Sequence, residues 1–137
     1  MRGIAGRKIA LLGGAGFIGH HLALALADDG ADVTVVDSFQ VNNLIAVRAG
    51  NGYGRNRDLY LRMLEERQRL LREAGVSVLP QDARDYGALS NLLGAEKPEV
   101  IVHLAAVSHA NRSDKDPFTT FDHSLRTLEN ALDCARG

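Results

Sequence analysis

Seven residues near the start of the chain, Gly13-Gly14-Ala15-Gly16-Phe17-Ile18-Gly19, carry its strongest chemical signal. Glycine lets a backbone turn tightly and bring its N–H groups against a pyrophosphate. A helix beginning at such a turn adds unpaired N–H groups and the positive end of its dipole. Two spacings overlap here. Gly14, Gly16 and Gly19 read as G-x-G-x-x-G, and Gly13, Gly16 and Gly19 as G-x-x-G-x-x-G. A Walker-type phosphate loop is excluded, because His20 and not Lys follows Gly19. Asp37 comes close to the ~20-residue interval expected of an acidic group that binds an adenosine ribose. A carboxylate there accepts from both ribose hydroxyls and repels a 2′-phosphate, which favours NAD over NADP. Arg48, Arg55 and Arg57 follow in the next loop and keep NADP as the alternative.

Other reactive side chains read more plainly. His20 and His21 have no carboxylate or Cys at ligand spacing, which points to a surface or helix-start role and not to a metal site. His103, Ser108, His109 and Ser113 surround the exit of a later apolar segment, where ligands bind in open α/β sheets. They read as surface-loop residues, with substrate or cofactor contact as the alternative. No G-x-S-x-G context makes either serine a nucleophile. Cys134 is the only cysteine, so an internal disulfide and a Cys-cluster metal site are both excluded.

The elements that must position these residues follow from apolar periodicity. Lys8–Leu12 is a short run apolar on both faces, as suits a buried parallel strand. Phe17–Ala27 turns helical, with Ile18, Leu22, Ala25 and Leu26 on one face and Gly30 as its stop. Val33–Val36 is β-branched and ends in Asp37. Residues 38–57 read as a loop, richest in turn residues at Asn51-Gly52-Tyr53-Gly54. A helix over Asp58–Glu73 carries Leu59, Tyr60, Met63, Leu64, Leu70 and Leu71. Val76–Leu79 is a third strand closed by Pro80, and Asp85 caps a short helix over Tyr86–Leu93. Glu99–Leu104 is the fourth strand. Asp116-Pro117 opens a last helix to Ala135, with Phe118, Phe121, Leu125, Leu128 and Leu132 as its apolar face. Strict β-α alternation predicts a parallel, doubly wound sheet in order 3-2-1-4 with the glycine turn at the carboxyl end of the first strand.

Composition narrows the function classes. The 137 residues are 45% hydrophobic and 24% charged, the balance of one globular domain. A net charge of -1 and only 5% aromatic residues argue against a nucleic-acid partner. No apolar run approaches the ~20 residues of a membrane span, and no secretion signal is visible, so the expected location is the cytoplasm.

These features together resemble the N-terminal half of the extended short-chain dehydrogenases/reductases, the NAD-dependent nucleotide-sugar epimerases and dehydratases. The glycine motif at 13–19, Gln81-Asp82-Ala83-Arg84-Asp85 after the third strand, His103-Leu104-Ala105-Ala106 after the fourth, and Asp116-Pro117 occur in the family's order. The resemblance implies that Gly13, Gly16, Phe17, Ile18 and Gly19 hold the pyrophosphate. It gives Asp37 the adenosine ribose, with Ser38 and Phe39 beside it. Asp82 accepts from the adenine amino group, the Ala83 backbone meets the ring, and Leu104, Ala105 and Ala106 line the wall on the nicotinamide side.

The chain also departs from the family pattern. Leu12 replaces its Thr, Gln81 its Gly, and Ser124 the Asn of the last helix. The family's catalytic Tyr-x-x-x-Lys is absent: Tyr53, Tyr60 and Tyr86 are followed four residues on by Arg57, Leu64 and Ser90. The expectation is therefore an incomplete Rossmann-like domain over residues 1–137, with its sheet ending after four strands and the substrate-binding portion missing. It binds NAD, has no catalytic residue of its own, and forms a homodimer or otherwise self-associates through its last helix. Nucleotide sugar is the substrate class of the parent enzyme. The alternative is a stand-alone NAD(P)-binding sensor or regulatory module without catalysis.

Overall fold

The computed structural model describes residues 3–41, 43–50, 54–107 and 116–137. Four strands, β1 (Lys8–Leu12), β2 (Asp32–Asp37), β3 (Ser77–Pro80) and β4 (Val100–His103), form a sheet in order β3-β2-β1-β4. Every pairing is parallel, as the β-α alternation predicts. The helices are α1 (Phe17–Asp28), α2 (Leu44–Arg48), α3 (Arg57–Glu73), α4 (Tyr86–Glu96) and α5 (Pro117–Arg136).

The strands are apolar on both faces because both faces are covered. Ile9, Leu11, Val33 and Val35 point to one side and pack with Ala15, Ala23, Leu71 and Val76, beneath α1 and α3. Ala10, Leu12 and Val36 point to the other and pack with Ala83, Leu89, Leu93 and Ala131, beneath α4 and α5. Leu12, the departure from the family's Thr, is fully buried in this second core.

Registration carries the fold's functional consequence. Leu12 pairs with both Val36 and His103, and Asp37 pairs with Pro80. Further backbone bonds extend the ladder: Gly13 N to Val36 O at 2.7 Å, Gln81 N to Asp37 O at 3.0 Å and Leu104 N to Leu12 O at 2.8 Å. All four strands thus end in one row, and the residues following each strand meet at a single sheet edge.

Several expectations change in detail. The loop expected over 38–57 contains α2, capped by the Asn43 side chain accepting from Ala46 N at 2.9 Å, and a 3₁₀ turn at Gly54–Asn56. Its Asn51-Gly52-Tyr53 portion lies outside the described residues. Pro80 joins β3 instead of closing it, which an edge strand tolerates because one side of its backbone needs no ladder donor. Of the face expected to turn inward on α1, Leu22 and Leu26 pack half-buried against the core, but the face as a whole is rotated. Gly19, His20 and Ala23 are buried, while Ile18 and Ala25 are exposed. On α3, Leu64 and Leu71 are buried but Leu59 and Met63 are exposed.

The rotation of α1 has a steric cause. A Cβ on Gly19 would lie 2.5 Å from Gly14 Cα, so the helix seats directly on the glycine turn, backbone against backbone. That contact, and not the apolar stripe, sets which side faces inward. Gly19→Ala is expected to destabilise the chain by about 1–3 kcal/mol through overpacking. Urea unfolding measures it; wild-type stability in the variant would contradict the close-packed assignment.

Candidate functional site

A cleft of about 340 Å³ lies along the carboxyl edge of the sheet. Open α/β sheets bind ligands at such an edge, where consecutive crossovers leave in opposite directions. Here β1 sits between β2 and β4, so α1 and the connection after β4 diverge around it.

The glycine turn forms the floor. Gly13 has φ +80°, a left-handed conformation that L side chains rarely adopt, and a Cβ there would lie 2.6 Å from Ala105 N. Gly13, Gly16 and Gly19 line the cleft, whereas Gly14 is buried beneath it. A Cβ on Gly14 would meet Leu11 and Val35 side chains at 2.9 Å. The two overlapping glycine spacings thus serve different purposes: G-x-x-G-x-x-G faces the cleft, and Gly14 lets the turn lie on the core.

Gly16 differs from its neighbours. Its φ of -70° and ψ of -178° suit any residue. A Cβ there would meet only Gly13 O, at an ordinary 3.5 Å. Neither backbone conformation nor packing within the protein demands glycine at this position. Gly16 also precedes α1 as its N-cap without a side chain to bond the first turn. Phe17, Ile18 and Gly19 of that first turn line the cleft. A helix start without a side-chain cap presents N–H groups to an acceptor.

Asp37 closes the end of β2. Its Oδ2 accepts from Ala15 N at 3.0 Å, inside the glycine turn, and its Oδ1 accepts from Phe39 N at 2.8 Å. Burial pushes its pKa up, and the two N–H donors only partly offset that. Ser38 lines the cleft as expected. Phe39 does not: it takes φ +53°, and its ring packs against the core beneath α1 and α3. The left-handed step turns that side chain down, and Gln40 and Val41 line the cleft beyond it. Of the candidates for a 2′-phosphate, Arg55 does not line the cleft, and Arg48 and Arg57 are engaged elsewhere. Arg48 pairs with Glu65 at 2.6 Å, and Arg57 Nε donates to Val47 O at 2.8 Å. Neither lines the cleft.

At the other end of the row, Asp82 and Ala83 line the cleft beside Gln81. Arg84 grips the Asp82 carboxylate through its own N–H and its guanidinium, at 2.7 Å for the shortest bond. This pairing holds the Asp82 pKa down. Arg84 Nη1 also reaches Asp122 at 3.0 Å and His123 Nε2 at 2.8 Å on α5. Gln40 Nε2 donates at 3.1 Å to Asp82 Oδ2, the oxygen that also takes the shortest Arg84 bond. Leu104, Ala105 and Ala106 form the wall opposite the glycine turn. Ser124 Oγ accepts from Val107 N at 3.2 Å and so holds the end of that wall. Ser108, His109 and Ser113 lie outside the described residues.

Sequence reasoning missed Gln40, Val41, His123 and Thr127 as cleft residues. The interval from Asp116-Pro117 places α5 but does not say which of its sides meets the cleft. His21 is exposed, and His20 is buried at the start of α1 with its Nδ1 3.0 Å from Gly16 O. Among the described residues no group of His, Cys, Asp or Glu is placed to hold a metal ion, and no helix is long and apolar enough to cross a membrane.

Comparisons with known proteins identify the family and the fold. The model of the NAD dependent epimerase/dehydratase family matches residues 9–137. A UDP-glucose 4-epimerase from Lacticaseibacillus casei is 34% identical over 125 residues, which cover 91% of this chain and 30% of that protein. Protein CapI of Staphylococcus aureus is 31% identical over 129 residues, covering 94% of this chain and 34% of that protein. The fold matches the Campylobacter jejuni UDP-Glc/GlcNAc 4-epimerase with a TM-score of 0.73 at 22% identity, over 96% of this chain and 34% of that one. It matches the Thermus thermophilus UDP-glucose 4-epimerase, solved as a complex with NAD, with a TM-score of 0.68 at 25% identity, over 93% of this chain and 33% of that one. The chain spans about a third of the length of these relatives.

The raised pKa of Asp37 has a defined consequence. A carboxyl whose folded value lies above its unfolded value binds its proton more tightly when folded. Its ionised form then opposes folding, and the penalty fades as pH falls through the folded value toward the ordinary 3.8. Asp37→Asn removes this titration. The stability of the wild type relative to Asp37→Asn is therefore expected to rise between pH 7.5 and pH 4.5, as followed by urea unfolding. A relative fall over that range would contradict the buried-carboxylate assignment.

Proposed function

The chain belongs to the NAD-dependent epimerase/dehydratase family, and from that premise we propose that these 137 residues are the NAD-binding portion of a nucleotide-sugar epimerase or dehydratase. The observation that carries the reading is Gly16. A glycine that protein packing does not demand, beside an uncapped helix start, is accounted for by a ligand that approaches its backbone. A pyrophosphate fits that position, since it accepts the first-turn N–H groups of α1 and favours the positive helix end.

The remaining residues suit the rest of the same cofactor. The Asp37 carboxylate keeps lone pairs beyond the two N–H bonds it accepts, and these suit the adenosine ribose hydroxyls. Its charge disfavours a 2′-phosphate, and Arg48 and Arg57 are paired away from the cleft, which supports NAD over NADP. Adenine would take the place of the Gln40 amide on Asp82, with its ring against Ala83. Ala105 and Ala106 leave the opposite wall low enough for the nicotinamide half. When bound, the cofactor supplies reversible hydride acceptance from a sugar carbon. The cleft residues would bind and orient it, and among the described residues none is placed to move the sugar's hydroxyl proton. The chain alone is therefore expected to turn over no nucleotide sugar.

Calorimetry with NAD and NADP tests this reading. NAD is expected to bind more tightly than NADP, and Gly16→Ala is expected to lose NAD affinity at least tenfold while unfolding at the wild-type temperature. Equal affinity for the two cofactors, or full affinity in Gly16→Ala, would overturn it. Production of NADH or of isomerised sugar from NAD and UDP-glucose would overturn the expectation of inactivity.

The outer face of α5 bears on the partner. Phe118, Phe121, Leu125, Leu128 and Leu132 are between 39% and 80% exposed. We propose that a second copy of the chain covers this stripe, since one helix face can meet itself across a two-fold axis. Sedimentation of the wild type is expected to show a dimer and that of Leu125→Glu a monomer. A monomeric wild type at high micromolar concentration would exclude this use of the face.

A further inference from the structure

The inner face of α5 carries an arrangement for which neither the apolar stripe nor the cofactor reading accounts. Thr127 is buried, 4% exposed, yet lines the cleft. Its hydroxyl lies 3.0 Å from His103 Nε2 and 3.0 Å from Ala105 O. The same oxygen lies 2.8 Å from His123 O, one turn back in its own helix. A threonine hydroxyl has one proton and two lone pairs. The nearby carbonyls can only accept, so when the single hydroxyl proton goes to one of them, His103 bonds the hydroxyl as the Nε2–H tautomer, donating to a lone pair.

Ala105 is the pivot of this arrangement. Its backbone lies against Gly13, where even a methyl group would come within 2.6 Å of Ala105 N. The Leu104–Ala106 wall is thus held between the glycine turn and Thr127. The adenine end is fastened separately: Asn130 Nδ2 donates to Ala83 O at 2.9 Å and to Arg84 O at 3.0 Å.

We propose that Thr127 is a positioning residue for the cofactor, linking the end of β4 to the cleft wall by accepting from His103 Nε2–H and giving its single proton to Ala105 O in preference to His123 O or Ser124 O. The proposal rests on the NAD-binding reading for its effect on affinity, but the hydrogen-bond chain itself exists without any ligand. Losing the hydroxyl leaves Ala105 free to move against Gly13. NAD affinity should fall, whereas AMP, which engages the end held by Asn130 and Asp82, should bind as before. His103 is expected to be neutral near pH 7, since burial lowers its pKa, with its proton on Nε2.

The test compares wild type, Thr127→Val and Thr127→Ser in the full chain. Valine keeps the shape and removes the hydroxyl; serine restores it. Calorimetry is expected to show NAD binding weakened about 3–10-fold in Thr127→Val, the loss of one net hydrogen bond. AMP binding should stay within twofold, and Thr127→Ser should return NAD affinity close to wild type. Equal losses for NAD and AMP, no loss for NAD, or no rescue by serine would overturn the proposal. Proton–nitrogen NMR of the ligand-free chain supplies the independent arm. The His103 ring N–H signal should be protected in wild type and Thr127→Ser, and lost to solvent exchange in Thr127→Val. A signal that persists unchanged in Thr127→Val overturns the proposal. A wild type that binds no NAD, with the ring signal behaving as expected, overturns the function reading and leaves the positioning of the wall standing.

Discussion

The carboxylate of Asp37 joins two parts of the chain that must be in register for the cleft to exist. One oxygen holds the glycine turn through Ala15 N, and the other holds the reversal after β2 through Phe39 N. Sheet pairing brings the ends of β1 and β2 together, but it does not by itself orient the turn beyond Gly13. The carboxylate does so, at the cost of a partly buried negative charge. That charge sits beside the start of α1, where the helix dipole favours an anion. The turn it holds is then thin enough for α1 to rest on it, because Gly14 and Gly19 meet without side chains. Floor, helix start and the Asp37 carboxylate thus form one unit.

The opposite wall is built by a different device. Helix α5 has two unlike faces. Its inner face is polar, and Ser124, Thr127 and Asn130 spend their hydrogen bonds on the loops after β3 and β4. Its outer face is an apolar stripe left uncovered within a single chain. The helix that shapes both ends of the cleft is therefore also the one proposed to meet a second copy. A binding event on either face acts on the same rigid element.

The sheet order and the cleft floor were legible in the sequence for simple reasons. Strands buried on both faces read as continuous apolar runs, and β-α alternation with right-handed crossovers leaves few topologies. Gly13, Asp37, Asp82 and Ala105 stand at or just past strand ends, and Gly16 and Gly19 open the helix that follows β1, so position along the chain translates into position in space. Phe39 lies beside Asp37 through its N–H, but its side chain leaves the cleft because one left-handed residue reverses it, and no pattern of residue types announces that step. The inner side of α1 was misjudged because a backbone contact between two glycines outweighs a modest apolar periodicity. Gln40, His123 and Thr127 were missed because they come from a loop and a helix whose orientation is set by tertiary contacts.

The central claim is that one dinucleotide lies along the carboxyl edge of the sheet, over the glycine turn. Amide chemical-shift mapping during an NAD titration tests it most directly. The account predicts saturable shifts concentrated at Ala15–Gly19, Asp37–Ser38, Asp82–Ala83 and Leu104–Ala106, with the amides of Lys8, Asp32 and Ser77 at the opposite end of the strands unmoved. Shifts centred on that opposite end, or no saturable shift at millimolar NAD, would contradict it.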